Sequence, residues 1–280
     1  MRGGALSLLL PAASALANVL DGRVAAEHGA LWYRTVRPER LSEAPPLVVL
    51  HGGPQVPSDY LFDLERADAE RAVVFYDQLG CGRSDAPDGA GCYGLEQSVA
   101  DLRCVLRELD VAESGRYHLY GQSWGGLLAF LHLRGCERLP RSVTLSNTPA
   151  SVPVVEAEVA RLVEVLGGSV DDFMSTHNCR TAEQPPGLAA AYAHAGTSWR
   201  GTAAIAGLEV DRDALRRIQI PSLVLRGEHD FVTEACVEAW RALPNLREVT
   251  LQGASHHALL ERPEAYLAEL ASFLAAHDQA

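Results

Sequence analysis

The chain has 280 residues, 48% of them hydrophobic, enough for the core of one α/β domain carrying an inserted helical lid. Its 24 cationic residues, all arginine, stand against 36 acidic ones, a formal charge of −12 with no basic cluster. That balance argues against nucleic acid or an anionic membrane as a partner, and the absence of lysine excludes Schiff-base and Ser–Lys chemistry.

Met1-Arg2, the apolar run Ala5–Leu10 and Ala15-Leu16-Ala17 have the outline of a short secretory signal. The run is interrupted by Pro11 and preceded by a single positive charge, so the expectation is an N-terminal extension on a cytoplasmic protein, with secretion as the alternative. No apolar run reaches the ~18 residues of a spanning helix.

Short strand patterns at Arg23–Ala26 and Leu31–Thr35 predict an antiparallel edge hairpin. The apolar strand Leu47–Leu50 then runs into His51-Gly52-Gly53-Pro54. Glycines at that point let the backbone approach a substrate and aim an N–H at it, as an oxyanion loop does. His51, before the glycines, is expected to brace this loop and not to act as a base. A helix is expected over Tyr60–Glu70 and a strand over Ala72–Tyr76. The turn Tyr76-Asp77-Gln78-Leu79-Gly80-Cys81-Gly82-Arg83-Ser84-Asp85 follows, suited to bracing the oxyanion loop from the side. Cys81 reads as a buried structural thiol, since no base is evident beside it. Leu95–Leu109 repeats apolar residues at helical spacing.

The strand Tyr117–Tyr120 ends in Gly121-Gln122-Ser123-Trp124-Gly125 and turns at once into a helix to about Leu133. A strand–Gly-x-Ser-x-Gly–helix turn is a nucleophile elbow: small residues permit the tight turn, and the helix N-terminus favours negative charge beside the serine. Such an elbow requires an acid and then a histidine downstream, and both are present. The strand Ser222–Arg226 ends in Gly227-Glu228-His229-Asp230, followed by a helical pattern from Val232 to about Ala242. The strand Glu248–Leu251 leads to Gly253-Ala254-Ser255-His256-His257, then a helix from Pro263 to about Ala275. Strand ends at one rim of a parallel sheet are where such folds place ligands. Ser123, Asp230 and His256 are therefore the candidate nucleophile, acid and base. Glu228 is the rival acid, expected to face the preceding turn. His257 is the rival base, expected to pack under the last helix. His229 reads as a solvated loop residue. The N–H groups of Gly53 and Trp124 are the candidate oxyanion donors.

Strands alternating with helices, including Ser142–Leu145, predict a mostly parallel eight-stranded sheet flanked by helices. Between Thr148 and Asp211 the strand pattern stops: Val154–Leu166 is helical, Gly167-Gly168 breaks it, and Pro185-Pro186-Gly187 precedes Leu188–His194. The expected organisation is a core of residues 1–148 and 212–280 with a small helical cap at 149–211, where specificity resides.

His51-Gly52-Gly53-Pro54, Tyr76 through Asp85, Gly121 through Gly126 and the Gly227…Asp230…Ser255-His256 ends resemble the proline iminopeptidase group of α/β-hydrolases, over most of the chain from about Gly22. The resemblance implies an α/β-hydrolase fold, a Ser123–His256–Asp230 triad, oxyanion donors at Gly53 and Trp124, and amide cleavage of a peptide or other small substrate through an acyl-enzyme without a cofactor. Substrate contacts are expected at Gly52, Phe231 and Trp199. The departures are specific. Gln55 stands where the family loop continues with glycine. Phe231 follows the aspartate where one branch has an acid, and Thr197-Ser198-Trp199-Arg200 replaces an acidic cap region. A buried ammonium needs a partner charge, so an esterase, thioesterase or peptide-tailoring hydrolase without free-amine recognition is the alternative. A non-catalytic ligand receptor on the same fold is a third reading. Aspartate nucleophiles, as in dehalogenases and epoxide hydrolases, are disfavoured by the serine. The six cysteines show no C-x-x-C spacing, and no H-E-x-x-H or phosphate loop occurs, so no metal or cofactor is expected.

Overall fold

A computed structural model describes residues 17–279. The signal-like segment before Ala17 lies outside the described residues. Eight strands form one sheet: β1 (Val19–Ala26), β2 (Gly29–Val36), β3 (Leu47–Leu50), β4 (Val73–Tyr76), β5 (His118–Gln122), β6 (Ser142–Ser146), β7 (Ser222–Gly227) and β8 (Leu246–Leu251). Their spatial order is β1-β2-β4-β3-β5-β6-β7-β8. The hairpin β1–β2 is antiparallel and joins β4 antiparallel, while β4 through β8 run parallel. β3 and β4 are buried along their whole length, which is why they read as unbroken apolar runs and not as alternating patterns.

The helices are α1 (Leu95–Glu108), α2 (Trp124–Leu133), α3 (Val152–Val165), α4 (Val170–Phe173), α5 (Pro186–Ala193), α6 (Gly201–Ala204), α7 (Arg212–Arg217), α8 (Glu234–Val237), α9 (Ala258–Glu261) and α10 (Pro263–Ala276). Two apolar layers cover the two faces of the sheet. Leu102, Val105, Leu127 and Trp240 fill one, and Tyr60, Leu64, Tyr266 and Leu270 the other. Ser151 caps α3 by accepting the N–H of Val154 at 3.3 Å, and Gly167 and Gly168 follow its end. No helix among the described residues is long and apolar enough to cross a membrane.

Two expected helices differ. Residues Ser58–Arg66 wind as 3₁₀ turns and stop before Glu70. Asp77 pins the start by accepting both the N–H (3.0 Å) and the hydroxyl (2.7 Å) of Ser58, and the buried Leu61 and Leu64 recur three residues apart. The stretch after Val232 likewise divides into α8 and 3₁₀ turns at Glu238–Ala242.

Candidate active site

Ser123 sits between β5 and α2 with φ 54° and ψ −120°, a conformation that costs a non-glycine residue about 1–3 kcal/mol. Its surroundings enforce it. A Cβ on Gly121 would run into the backbone of Gly125, and one on Gly125 into the carbonyl of Leu50. The N–H of Ser123 is held by the Ser146 carbonyl at 2.8 Å. Trp124 is the first residue of α2, so its N–H has no carbonyl within the helix to bond. Gly53, with φ 117°, faces the same space, and both line a cavity with Ser123.

Asp230, on the loop after β7, and His256, on the loop after β8, meet at this rim. Nδ1 of His256 lies 2.8 Å from Oδ1 of Asp230. The same oxygen accepts the Val232 N–H at 2.9 Å, and Oδ2 accepts Nδ2 of Asn147 at 2.6 Å. The acid is buried and accepts two other N–H donors, and Nε2 of the ring faces the Gln122 amide as an acceptor, so Nδ1 is the nitrogen that donates to Asp230. Phe231 stacks on His256 with ring centroids 4.0 Å apart. The backbone of His256 and His257 is fixed from the segment between β6 and β7. A π-helical turn at Met174–Asn178 lets the carbonyls of His177 and Asn178 accept their N–H groups at 3.1 and 3.0 Å.

Among the described hydrogen bonds none joins the Ser123 hydroxyl to His256, although both line one cavity. Nε2 of His256 faces Nε2 of Gln122 at 3.2 Å instead. A relay explains this orientation: the Gly52 N–H donates to the Tyr60 hydroxyl (2.8 Å), which donates to Oε1 of Gln122 (2.7 Å). The Gln122 amide is thereby turned to donate to the ring. Such bonds rearrange when a substrate arrives.

Of the other sequence candidates, Glu228 accepts the Gly253 N–H at 2.8 Å and points away from His256, and the side chain of His229 is partly exposed. His257 is buried against Tyr60 and bonded to the Tyr192 hydroxyl at 3.3 Å, and burial holds its pKa well below the ordinary value. His51 accepts the Gln78 N–H at 2.9 Å and braces the loop as expected. It also lies 3.7 Å from the Cys81 sulfur, a neighbour that sequence did not reveal; burial pushes that thiol well up, so it remains unreactive.

Two substrate-contact expectations are corrected. The Gly52 N–H is consumed by Tyr60, and Gly52 lines neither cavity at Ser123. Trp199 packs edge-on behind Trp124 at 5.3 Å and lines a separate small cleft with Asp101, because its own N–H is tied to Gln55 at 3.1 Å. Phe231 does line both cavities. Sequence reasoning missed the roles of Asn147, Gln122 and Tyr60, and noted Gln55 only as a departure from the family loop. Gln55 has φ 63°, accepts the Gly196 N–H on its carbonyl (2.9 Å), and its side chain reaches the Leu79 carbonyl (3.1 Å). The residue that departs from the family pattern thus staples the oxyanion loop to residues 196–199.

Two cavities open on Ser123, sharing Gly53, Gly201 and Phe231. One, of about 340 Å³, is lined by Trp124, Leu127, Val152, Val155, Val159 and Ile205, with Glu156 its only charged residue. The other, of about 230 Å³, contains His256, His257, Gln122, Asn178, Tyr192 and Arg200.

Residues 47–270 match the model of the alpha/beta hydrolase family. The chain is 33% identical to a proline iminopeptidase of Lactiplantibacillus plantarum, over 88% of this chain and 97% of that protein. Among solved structures, the proline iminopeptidase of Mycobacterium smegmatis superposes with a TM-score of 0.81 at 27% identity, covering 92% of this chain and 99% of that one. VinJ superposes at 0.80 with 29% identity and the same coverage. The chain therefore belongs to the alpha/beta hydrolase family, within its proline iminopeptidase-like group.

Proposed function

We propose that this hydrolase cleaves an aminoacyl amide bond through an acyl-enzyme on Ser123, without a cofactor. The observation that carries the reading is the buried Asp230–His256 pair, 2.8 Å apart, behind a serine held at φ 54° beside the N–H groups of Gly53 and Trp124, which donate to nothing among the described residues. In the first step Oγ of Ser123 attacks the carbonyl carbon while its proton passes to Nε2 of His256, displacing the Gln122 contact. Asp230 steadies the imidazolium. The N–H groups of Gly53 and Trp124 hold the oxyanion, each worth roughly 10²–10³ in turnover. His256 then gives its proton to the leaving nitrogen as the C–N bond breaks. Water repeats the sequence on the ester, giving its proton to His256, and the acid leaves as Ser123 regains a proton.

His256 also assigns the two cavities. The group that protonates the leaving atom must stand on the leaving side, so the cavity containing His256 takes the leaving group, and the apolar cavity takes the acyl side chain. Glu156, on that acyl side and outside every ion pair among the described residues, is the carboxylate available to a free α-amine. The apolar lining, with Phe231 where one branch of the family has an acid, favours a second reading: an esterase for apolar acyl groups. A panel of leucyl and alanyl arylamides, their N-acetylated forms and the matching acyl esters decides between them. Free-amine amides should be preferred, and an activated ester should give a burst of its phenol on mixing. Preference for blocked or purely acyl esters supports the second reading, and no turnover of any of them refutes both.

A further inference from the structure

The leaving-side cavity carries one permanent charge, Arg200, and no carboxylate lines it, in a chain where acids outnumber cations 36 to 24. Several exposed arginines reach a carboxylate, Arg161 pairing with Glu158, Arg216 with Asp213, and Arg247 with Glu269, while Arg138 and Arg217 on the outer surface face solvent; what sets Arg200 apart is that it lines a cavity at Ser123. Arg200 makes no ion pair or hydrogen bond among the described residues. Its charge is felt at the neighbouring Tyr192 hydroxyl, where it opposes the upward push of burial. The polar wall beside it is already internally satisfied. Asn178 donates to Tyr192 at 3.1 Å, and Tyr192 is bonded to His257 at 3.3 Å. What remains unspent on this side is a cationic fork, suited by geometry to a carboxylate.

We infer that Arg200 selects substrates whose leaving group is an anion, the simplest being a dipeptide whose departing amino acid bears a free carboxylate. The inference rests on the assignment of cavities under the proposed function. Glu156 on the acyl side and Arg200 on the leaving side then match the two ends of a zwitterionic dipeptide across Ser123. In a protein of charge −12, a local cation in the site favours entry of an anionic substrate. Arg200 is a specificity residue: it touches the departing group and takes no part in proton transfer.

Two leucyl amides of nearly equal shape provide the test, one with 4-aminobenzoate and one with 4-aminobenzamide as leaving amine. Wild type should favour the anionic one in kcat/KM by about 2- to 5-fold, the range of a partly exposed ion pair. Arg200→Gln should remove that preference, and Arg200→Glu should reverse it, the larger change in both falling on the anionic substrate. An equal loss on both substrates, or a preference that survives Arg200→Glu, overturns the inference. If wild type cleaves neither amide nor an activated ester, the hydrolytic reading fails instead, a distinct outcome.

Discussion

Replacing Asp230 by asparagine tests the acid assignment at the level of single hydrogen bonds. The carboxylate accepts three donors: Nδ1 of His256 at 2.8 Å and the Val232 N–H at 2.9 Å on one oxygen, and Nδ2 of Asn147 at 2.6 Å on the other. An amide has a single acceptor oxygen. If that oxygen turns to Asn147, the new NH₂ faces both the Val232 N–H and the ring, and His256 must take the tautomer with its proton on Nε2. That ring cannot receive a proton from Ser123. If the oxygen stays on His256, the NH₂ opposes the amide of Asn147. In both arrangements the imidazolium loses its counter-charge. The wrong tautomer lowers kcat by roughly 10⁴, equivalent to about 5.5 kcal/mol on the barrier. The assay is steady-state hydrolysis of an activated acyl ester, with circular dichroism to verify folding. Glu228→Gln serves as control: Glu228 bonds only the Gly253 N–H and His229 at the surface, so turnover should stay within about 3-fold. An Asp230→Asn enzyme within tenfold of wild type, beside a Glu228→Gln enzyme that loses about 10²-fold, refutes the assignment.

Three further outcomes follow from the structure. Gln55→Ala removes the side-chain bonds to Leu79 and Trp199 while keeping the left-handed backbone, so it should lower stability by about 1–3 kcal/mol in urea unfolding and raise KM; an unchanged midpoint contradicts the staple. Burial pushes the Asp101 carboxyl up to about 6 from 3.8, the bond from Gln97 notwithstanding. The unfolded chain ionises it earlier, so its cost to the fold grows between those values and is full above pH 6. Asp101→Asn should stabilise by about 2–3 kcal/mol at pH 8 and hardly at all at pH 4, and an equal effect at both contradicts the linkage. Burial holds His118 and His132 down to about 4 from 6.5, so the unfolded chain takes up protons first as the medium acidifies. Between pH 7 and 5 each removes about 2 kcal/mol and Asp101 returns about 1, while His51 and His257, also held down by burial, add to the loss, so stability falls by at least about 3 kcal/mol; stability flat over that interval overturns this sum.

What was legible in the sequence has a common physical origin. Val48, Val74 and Leu119 lie in strands buried on both faces, so their burial writes itself as short apolar runs. Gly121 and Gly125 are demanded by backbone approach on either side of Ser123, which fixes the elbow as a local pattern. Asp230 and His256 could be placed because each lies on the short loop that follows a strand. The rest depends on partners distant in the chain. Asn147 meets Asp230 across 83 positions, and Tyr60 meets Gln122 across 62. No periodicity encodes such pairs. The π-turn at Met174–Asn178 has no repeating pattern either, and its importance lies in the two carbonyls it turns toward His256 and His257. Trp199 was misplaced because an aromatic beside a family substrate region reads as a contact, whereas the bond to Gln55 turns it behind Trp124.

The central claim is that Ser123 becomes a nucleophile with His256 as its base. Intact-protein and peptide mass spectrometry after exposure to a fluorophosphonate tests it directly. The account predicts one adduct per chain, located on the peptide holding Ser123, abolished by Ser123→Ala, slowed by several orders of magnitude in His256→Ala, and unaffected by Ser84→Ala. A wild-type protein that takes up no adduct, or takes it up elsewhere, contradicts it.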